Sequence, residues 1–189
     1  TRADFPDPSF TGDAGTITVT AKTLEVSNGA RIDSSSTGYA LGNAGQIMVT
    51  APTILLNGGS ISTSTEFSGN AGAIQINTGS LTVNQGGRLT SNSVIRTIPL
   101  YDGEEIPSPT GSAGTITVQG LASTAQSILI DGSGSGIFTD TQSTGAGGNI
   151  FVHANSVMLQ NGGTLSAKTS GTETTATGGS ITVDATNAV

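Results

Sequence analysis

The chain of 189 residues is long enough to bury a core, yet only 10% of it is charged and 4% aromatic, with 28 glycines and no cysteine. A net charge of −7 without any basic run excludes phosphate-backbone recognition, so nucleic acid is not an expected partner. No apolar stretch reaches the ~20 residues of a membrane-spanning helix, and disulfides and thiolate metal sites are ruled out.

Low charge and abundant Gly, Ser and Thr could indicate disorder, but Ile, Val and Thr recur here in regular short runs, which favours an ordered all-β chain. The runs follow a repeat. The first coil opens with GDAGTITV from Gly12, whose Ile17 and Val19 alternate as one face of a strand. Leu24 and Val26 form a second apolar pulse, SNGAR a corner, and Ile32 a third pulse followed by the small Ser34. The second coil repeats the order: GNAGQIMV from Gly42, Ile54 and Leu56, LNGGS, then Ile61 and Thr63. The third runs GNAGAIQI from Gly69, Leu81 and Val83, NQGGR, then Leu89 and Ser91. A long insertion, 94–110, precedes the fourth, which runs GSAGTITV from Gly111, Ile128 and Ile130, DGSGSG, then Ile137 and Thr139. The fifth runs GAGGNIFV from Gly145, Val157 and Leu159, QNGGT, then Leu165 and Ala167. TGGSITV from Thr177 starts a sixth.

The glycine before each first pulse falls at Gly15, Gly45, Gly72, Gly114, Gly148 and Gly179. Two spacings within the coil are nearly constant, and the corner between the third pulse and the next glycine phrase takes most of the length variation. A triangular coil with one permissive corner produces that pattern. Asn-Gly and Gly-Gly at the second corner supply positive φ for a sharp bend. Strands this short bury a face only by stacking, each hydrogen-bonded to its equivalent about 4.8 Å away. Parallel crossovers are right-handed in nearly all cases. The expected fold is therefore an all-β, right-handed parallel β-helix (a β-solenoid) with three short strands per coil and about six coils, as one repeat domain over 1–189. Outward first-side residues, Thr18, Met48, Gln75, Thr117, Phe151 and Thr182, are uncharged and predict a weakly adhesive face.

The segment GNAGQIMVTAPTILLNGGSISTSTEFSGNAGAIQI, Gly42 to Ile76, resembles the repeats of filamentous-haemagglutinin-like exoproteins, in particular the large two-partner-secretion proteins common in cyanobacteria. The resemblance covers the chain outside its insertions and is specific for architecture. It implies a β-helical shaft exported through an outer-membrane secretion partner and used in adhesion, aggregation or surface-layer building. That places the chain outside the cell or on the surface of a Gram-negative-type bacterium. The amino-terminal secretion domain of that family is not recognisable here, and the chain is expected to be one segment of a longer protein.

A polysaccharide-cleaving enzyme would need carboxylates on adjacent rungs of one face. Asp33 aligns instead with Ser62 and Thr90, and Asp184 with His153, Gln119, Asn77, Thr50 and Thr20, so no acidic ladder forms and no catalytic or cofactor-binding residue is assigned. His153, the sole histidine, is expected at a solvent-facing strand end. The insertion gathers Asp102, Glu104 and Glu105, the weak candidates for a Ca²⁺ site, beside Ile95, Ile98, Leu100, Tyr101 and Ile106, whose apolar character predicts a loop that folds over the shaft or meets a partner. Tyr39, Phe67 and Tyr101 in the variable corner are candidate ligand contacts, suited to stacking on surface glycans. Uncapped strand edges at both ends predict end-to-end self-association or continuation into further coils.

Overall fold

The computed structural model describes residues 11–37, 41–66, 68–95, 110–171 and 176–188. Each coil begins on a first-side strand: β1 (Ile17–Thr20), β4 (Ile47–Thr50), β7 (Ile74–Asn77), β10 (Ile116–Gln119), β13 (Ile150–Gln160) and β15 (Ile181–Ala188). Second-side strands are β2 (Thr23–Ser27), β5 (Thr53–Asn57), β8 (Ser80–Asn84) and β11 (Ala125–Asp131). The third side comprises β3 (Arg31–Asp33), β6 (Ser60–Ser62), β9 (Arg88–Thr90), β12 (Gly136–Phe138) and β14 (Thr164–Ser166). Equivalent strands pair in parallel from coil to coil, giving a ten-stranded sheet over the first two sides and a five-stranded sheet on the third. The fold is a parallel β-solenoid of about five turns. The sixth glycine phrase adds only β15, which is why the turns number nearer five than six.

Register follows the apolar pulses rung by rung. Ile17, Ile47, Ile74, Ile116, Ile150 and Ile181 form one inward ladder, with Val19, Val49, Ile76, Val118, Val152 and Val183 as its neighbour. On the second side Leu24, Ile54, Leu81, Ile128 and Val157 stack, as do Val26, Leu56, Val83, Ile130 and Leu159. Ile32, Ile61, Leu89, Ile137 and Leu165 close the triangle on the third side. Side chains alternate about each strand, so a slip of one residue would turn every one of these outward. In the middle coils these ladders are fully buried, while Ile181 and Val183 on the last rung remain 43% and 39% exposed.

The first corner does not always interrupt the strand. In the fifth coil, β13 runs unbroken from the first side through the second, and β15 likewise continues past the first side. Ala154 permits this: it pairs with Ala125 on one side and Ala185 on the other, and a methyl group fits the narrow interior of the bend. The second corner follows its sequence signature. Asn28 and Gly29 both have positive φ (54° and 80°), and so do Gln85 with Gly86 (50° and 80°) and Asn161 with Gly162 (51° and 92°). Two consecutive left-handed residues form a primed turn, which Asn-Gly tolerates and glutamine does not favour.

Two stability predictions come from this packing. Replacing Ile76 by aspartate places an unpaired charge in the apolar ladder and should destabilise the chain by about 4 kcal/mol or more, read as a large fall in thermal midpoint. An unchanged midpoint would contradict the inward placement of Ile76. Replacing Gln85 by Gly relieves left-handed strain of about 1 kcal/mol and should leave stability equal or higher, where an ordinary strand-end position would lose it.

Candidate functional site

The most elaborated chemistry in the molecule lies where the third side turns into the next glycine phrase. Two residues past each third-side apolar ladder, Ser34, Thr63, Ser91 and Thr139 point into the interior and are buried. Opposite them stand the phrase glycines that open the next coil. Gly45 donates its N–H to the Ser34 carbonyl (2.9 Å), Gly72 to Thr63 (3.1 Å), Gly148 to Thr139 (3.0 Å) and Gly179 to Ala167 (2.8 Å). The hydroxyls return the bond: Thr63 Oγ1 donates to the Gly72 carbonyl at 2.8 Å, Ser91 Oγ to the same carbonyl at 2.6 Å, and Thr139 Oγ1 to Gly148 at 2.8 Å. Ser34 Oγ likewise donates to the Gly15 carbonyl. Two walls of the solenoid therefore meet backbone to backbone, with no side chain larger than a hydroxyl between them.

Glycine is required here by closeness along the axis. A Cβ on Gly45, Gly72, Gly114, Gly148 or Gly179 would fall closer than 3.0 Å to the carbonyl oxygen of the equivalent glycine one rung earlier. The same collision awaits Gly42, Gly69, Gly111 and Gly145, three residues upstream in each phrase. The two glycines of each G-x-x-G thus form two continuous columns.

The residue after the first of those glycines bridges successive coils. Asp13 Oδ1 accepts the Asn43 N–H (2.7 Å), Asn43 Oδ1 that of Asn70 (2.9 Å), Asn70 Oδ1 that of Ser112 (2.9 Å), and Ser112 Oγ that of Ala146 (3.2 Å). A second such ladder runs along the third corner. Ser35 Oγ accepts from Ser64 N–H (2.9 Å), Ser64 Oγ from Asn92 (3.4 Å), Asn92 Oδ1 from Asp140 (2.9 Å), and Asp140 Oδ1 from Lys168 (3.1 Å). Where the chain bends too sharply for carbonyls to face the next rung, short polar side chains supply the acceptors, and backbone donors stay satisfied. The phrase and its glycines are legible in the sequence, whereas this use of the residue between them is not. Its signal was the restriction to Asp, Asn or Ser at 13, 43, 70 and 112.

The residues proposed from sequence for binding are not gathered by the described structure. Tyr39, Phe67, Tyr101, Asp102, Glu104 and Glu105 lie outside the described residues, as does the centre of the insertion at 96–109. At its near end Ile95 is 45% exposed and donates its N–H to Gln142 Oε1 at 3.1 Å. His153 is part-exposed on the first side, and its Nδ1 lies 3.6 Å from Asp184 Oδ2, its register partner. Asp33 pairs with Arg31 in its own strand (2.7 Å) and aligns with Ser62, as expected. Arg88 sits over the Phe138 ring one rung away, 5.0 Å from its centroid, a stacking contact that no motif in the sequence marks. Among the described residues no group of three or more His, Asp or Glu is placed to hold a metal ion. Buried side-chain oxygens without a hydrogen-bond partner occur on Asn57, Thr65 and Asn84, which lie at two different corners and do not converge.

An open depression of about 480 Å³ is lined by Ala14, Gly15, Thr16, Ile17, Asp33, Ser34, Ser35 and Thr37. These are the first-rung members of the closure just described, so its floor is the surface onto which, elsewhere in the molecule, a rung stacks. The chemistry of this whole region is cohesion between coils. No family model, curated protein or solved structure matches this chain.

The columns predict a sharp contrast between two glycines. Gly72→Ala drives a methyl group into the Gly45 carbonyl and should cost about 3 kcal/mol or more in chemical denaturation. Gly15→Ala meets nothing within 4 Å and should change stability by less than about 1 kcal/mol. Equal effects would show that the glycines serve local flexibility instead of close approach.

Proposed function

We propose that this chain is a non-catalytic shaft segment of a secreted or cell-surface, adhesin-like exoprotein of the filamentous-haemagglutinin type. In this reading an outer-membrane partner exports the parent protein, and the coils hold an adhesive part away from the surface of a Gram-negative-type bacterium. The observation that supports it best is uniformity. Inward ladders, glycine columns and side-chain acceptors recur through the coils in one register, and the polar groups of the closure are used in holding rung to rung. Such a structure is extended and can be lengthened without change of design, as a spacer requires. The exposed Ile181 and Val183 on β15 suit a further rung, from the same parent chain or from another copy stacked end to end.

Two measurements test this reading together. Antibodies against the chain should label intact cells of the source and lose their signal after mild surface proteolysis. Labelling confined to permeabilised cells would overturn it. In negative-stain electron microscopy the purified chain should appear as short rods of roughly 25–30 Å, six rungs at about 4.8 Å, that lengthen end to end with concentration. Lysine at Ile181 and Val183 should abolish that lengthening. Particles that fail to lengthen at any concentration would contradict the end-to-end stacking.

A further inference from the structure

An Asn-Gly pair stands at the second corner of three coils: Asn28-Gly29 in the first, Asn57-Gly58 in the second and Asn161-Gly162 in the fifth. Asn-Gly is open to spontaneous deamidation, because the nitrogen of a following glycine reaches the asparagine Cγ with no side chain in its way. What holds that nitrogen differs between the coils. Asn28 N–H donates to the Asn57 carbonyl (3.0 Å) and Gly29 N–H to the Gly58 carbonyl (2.9 Å), both one coil on. Gly58 N–H donates to the Asn84 carbonyl (3.0 Å) of the third coil. The corner donors thus point one way along the axis, each held by the coil that follows. Beyond the fifth coil, β15 reaches only the start of the second side, where Ala188 pairs with Val157. Among the described residues no acceptor takes the N–H of Asn161 or of Gly162.

We infer that Asn161 is a site of spontaneous deamidation, while Asn28 and Asn57 are kept unreactive by the coil stacked after each. In this step the Gly162 nitrogen attacks the Asn161 Cγ, and the side-chain nitrogen leaves as ammonia, carrying the proton lost from the Gly162 N–H. Water then opens the cyclic succinimide at either carbonyl, giving aspartate or isoaspartate. Asn28 and Asn161 isolate the cause. Both are exposed, both are left-handed (φ 54° and 51°), and each precedes a glycine of positive φ (80° and 92°). Ring closure requires the asparagine to rotate out of this primed turn. In the first coil that rotation breaks two backbone hydrogen bonds to the second. In the fifth it breaks only the exposed bond from Asn161 Nδ2 to Asp131 Oδ1 (2.8 Å). A further coil stacked on the fifth would supply the absent acceptors, so reactivity marks the uncovered end of a stack.

The product acts on the coil below. Asn161 donates to Asp131 on the adjacent rung, and conversion replaces that donor by a second carboxylate. Like charges facing each other across rungs are destabilising. Isoaspartate also lengthens the main chain by one methylene at the turn. Both effects loosen the fifth coil from the fourth at this corner, where Gly132 N–H donates to the Gln160 carbonyl at 3.2 Å.

Peptide mass mapping of the purified dilute chain, incubated at mildly alkaline pH, tests this directly. Asn161 should convert about ten-fold faster than Asn28, the ratio expected when hydrogen bonds must open before reaction, and Asn57 should be no faster than Asn28. In concentrated urea the three rates should converge, since only the shared Asn-Gly chemistry then remains. Equal rates at Asn28 and Asn161 in the folded chain, or a preference for Asn161 that persists in urea, would overturn the inference. For the consequence, Asn161→Asp should speed hydrogen exchange of the Gly132 N–H several-fold, and adding Asp131→Asn should reverse the gain. Unchanged exchange at Gly132 would show that the modification leaves the corner intact and would overturn the loosening.

Discussion

The structure depends on one contact: the backbone of the phrase glycines from Gly45 onward pressed against the backbone of a small residue, Ser, Thr or Ala, across the narrowest part of the coil. Thr63 with Gly72 and Thr139 with Gly148 close the triangle by reciprocal use of N–H, carbonyl and hydroxyl, while Ser34 accepts the Gly45 N–H and donates its hydroxyl to the Gly15 carbonyl. Without that closure the third side and the next first side would diverge, and the Ile, Leu and Val ladders would line an open trough. The same glycines then stack so tightly on the preceding rung that no Cβ is admitted. Lateral closure and axial stacking are thus set by a single residue type at a single position. This is why the phrase returns in every coil although the intervals between its copies vary.

The apolar ladders supply the hydrophobic driving force, but they are permissive in detail. Ile, Val and Leu exchange freely among Leu24, Ile54, Leu81, Ile128 and Val157, as expected of a core in which volume and pattern matter more than identity. The polar ladders are less permissive, since each acceptor must reach one N–H on the next rung. Asn43 and Asn70 reach from adjacent rungs with the same bond length, and Ala146 ends that column because it carries no acceptor. Thus the corner is held by chemistry and the walls by burial.

Much of this fold was legible in the chain itself. The apolar pulses have period two and recur in phase, so the inward residues and their partners in neighbouring coils could be named from Ile17 to Val183, and the register agrees. Asn28-Gly29 and Asn161-Gly162 marked the second corner because few other pairs accept two positive φ values. The part played by Asn43 and Asn70 was not legible, because an asparagine between two glycines reads first as a turn residue. Its use as an acceptor for the next coil appears only when rungs are superposed. The unbroken path of β13 was hidden for a related reason: Ala154 is neutral in pattern and becomes informative only between Ala125 and Ala185. The aromatic and acidic residues of the variable corner carried the binding hypothesis, and they fall outside the described residues, so the candidate site read from sequence rests on composition alone.

The most direct test of the central contact is native-state hydrogen exchange on the unmodified chain, resolved to single amides. The account predicts that the N–H groups of Gly45, Gly72 and Gly148 exchange as slowly as those of Ile74 and Ile76 in the adjoining first-side strand, because opening them requires parting the coil. Exchange at those glycines as rapid as at an exposed turn, with the strands still protected, would show that the coils hold without the closure.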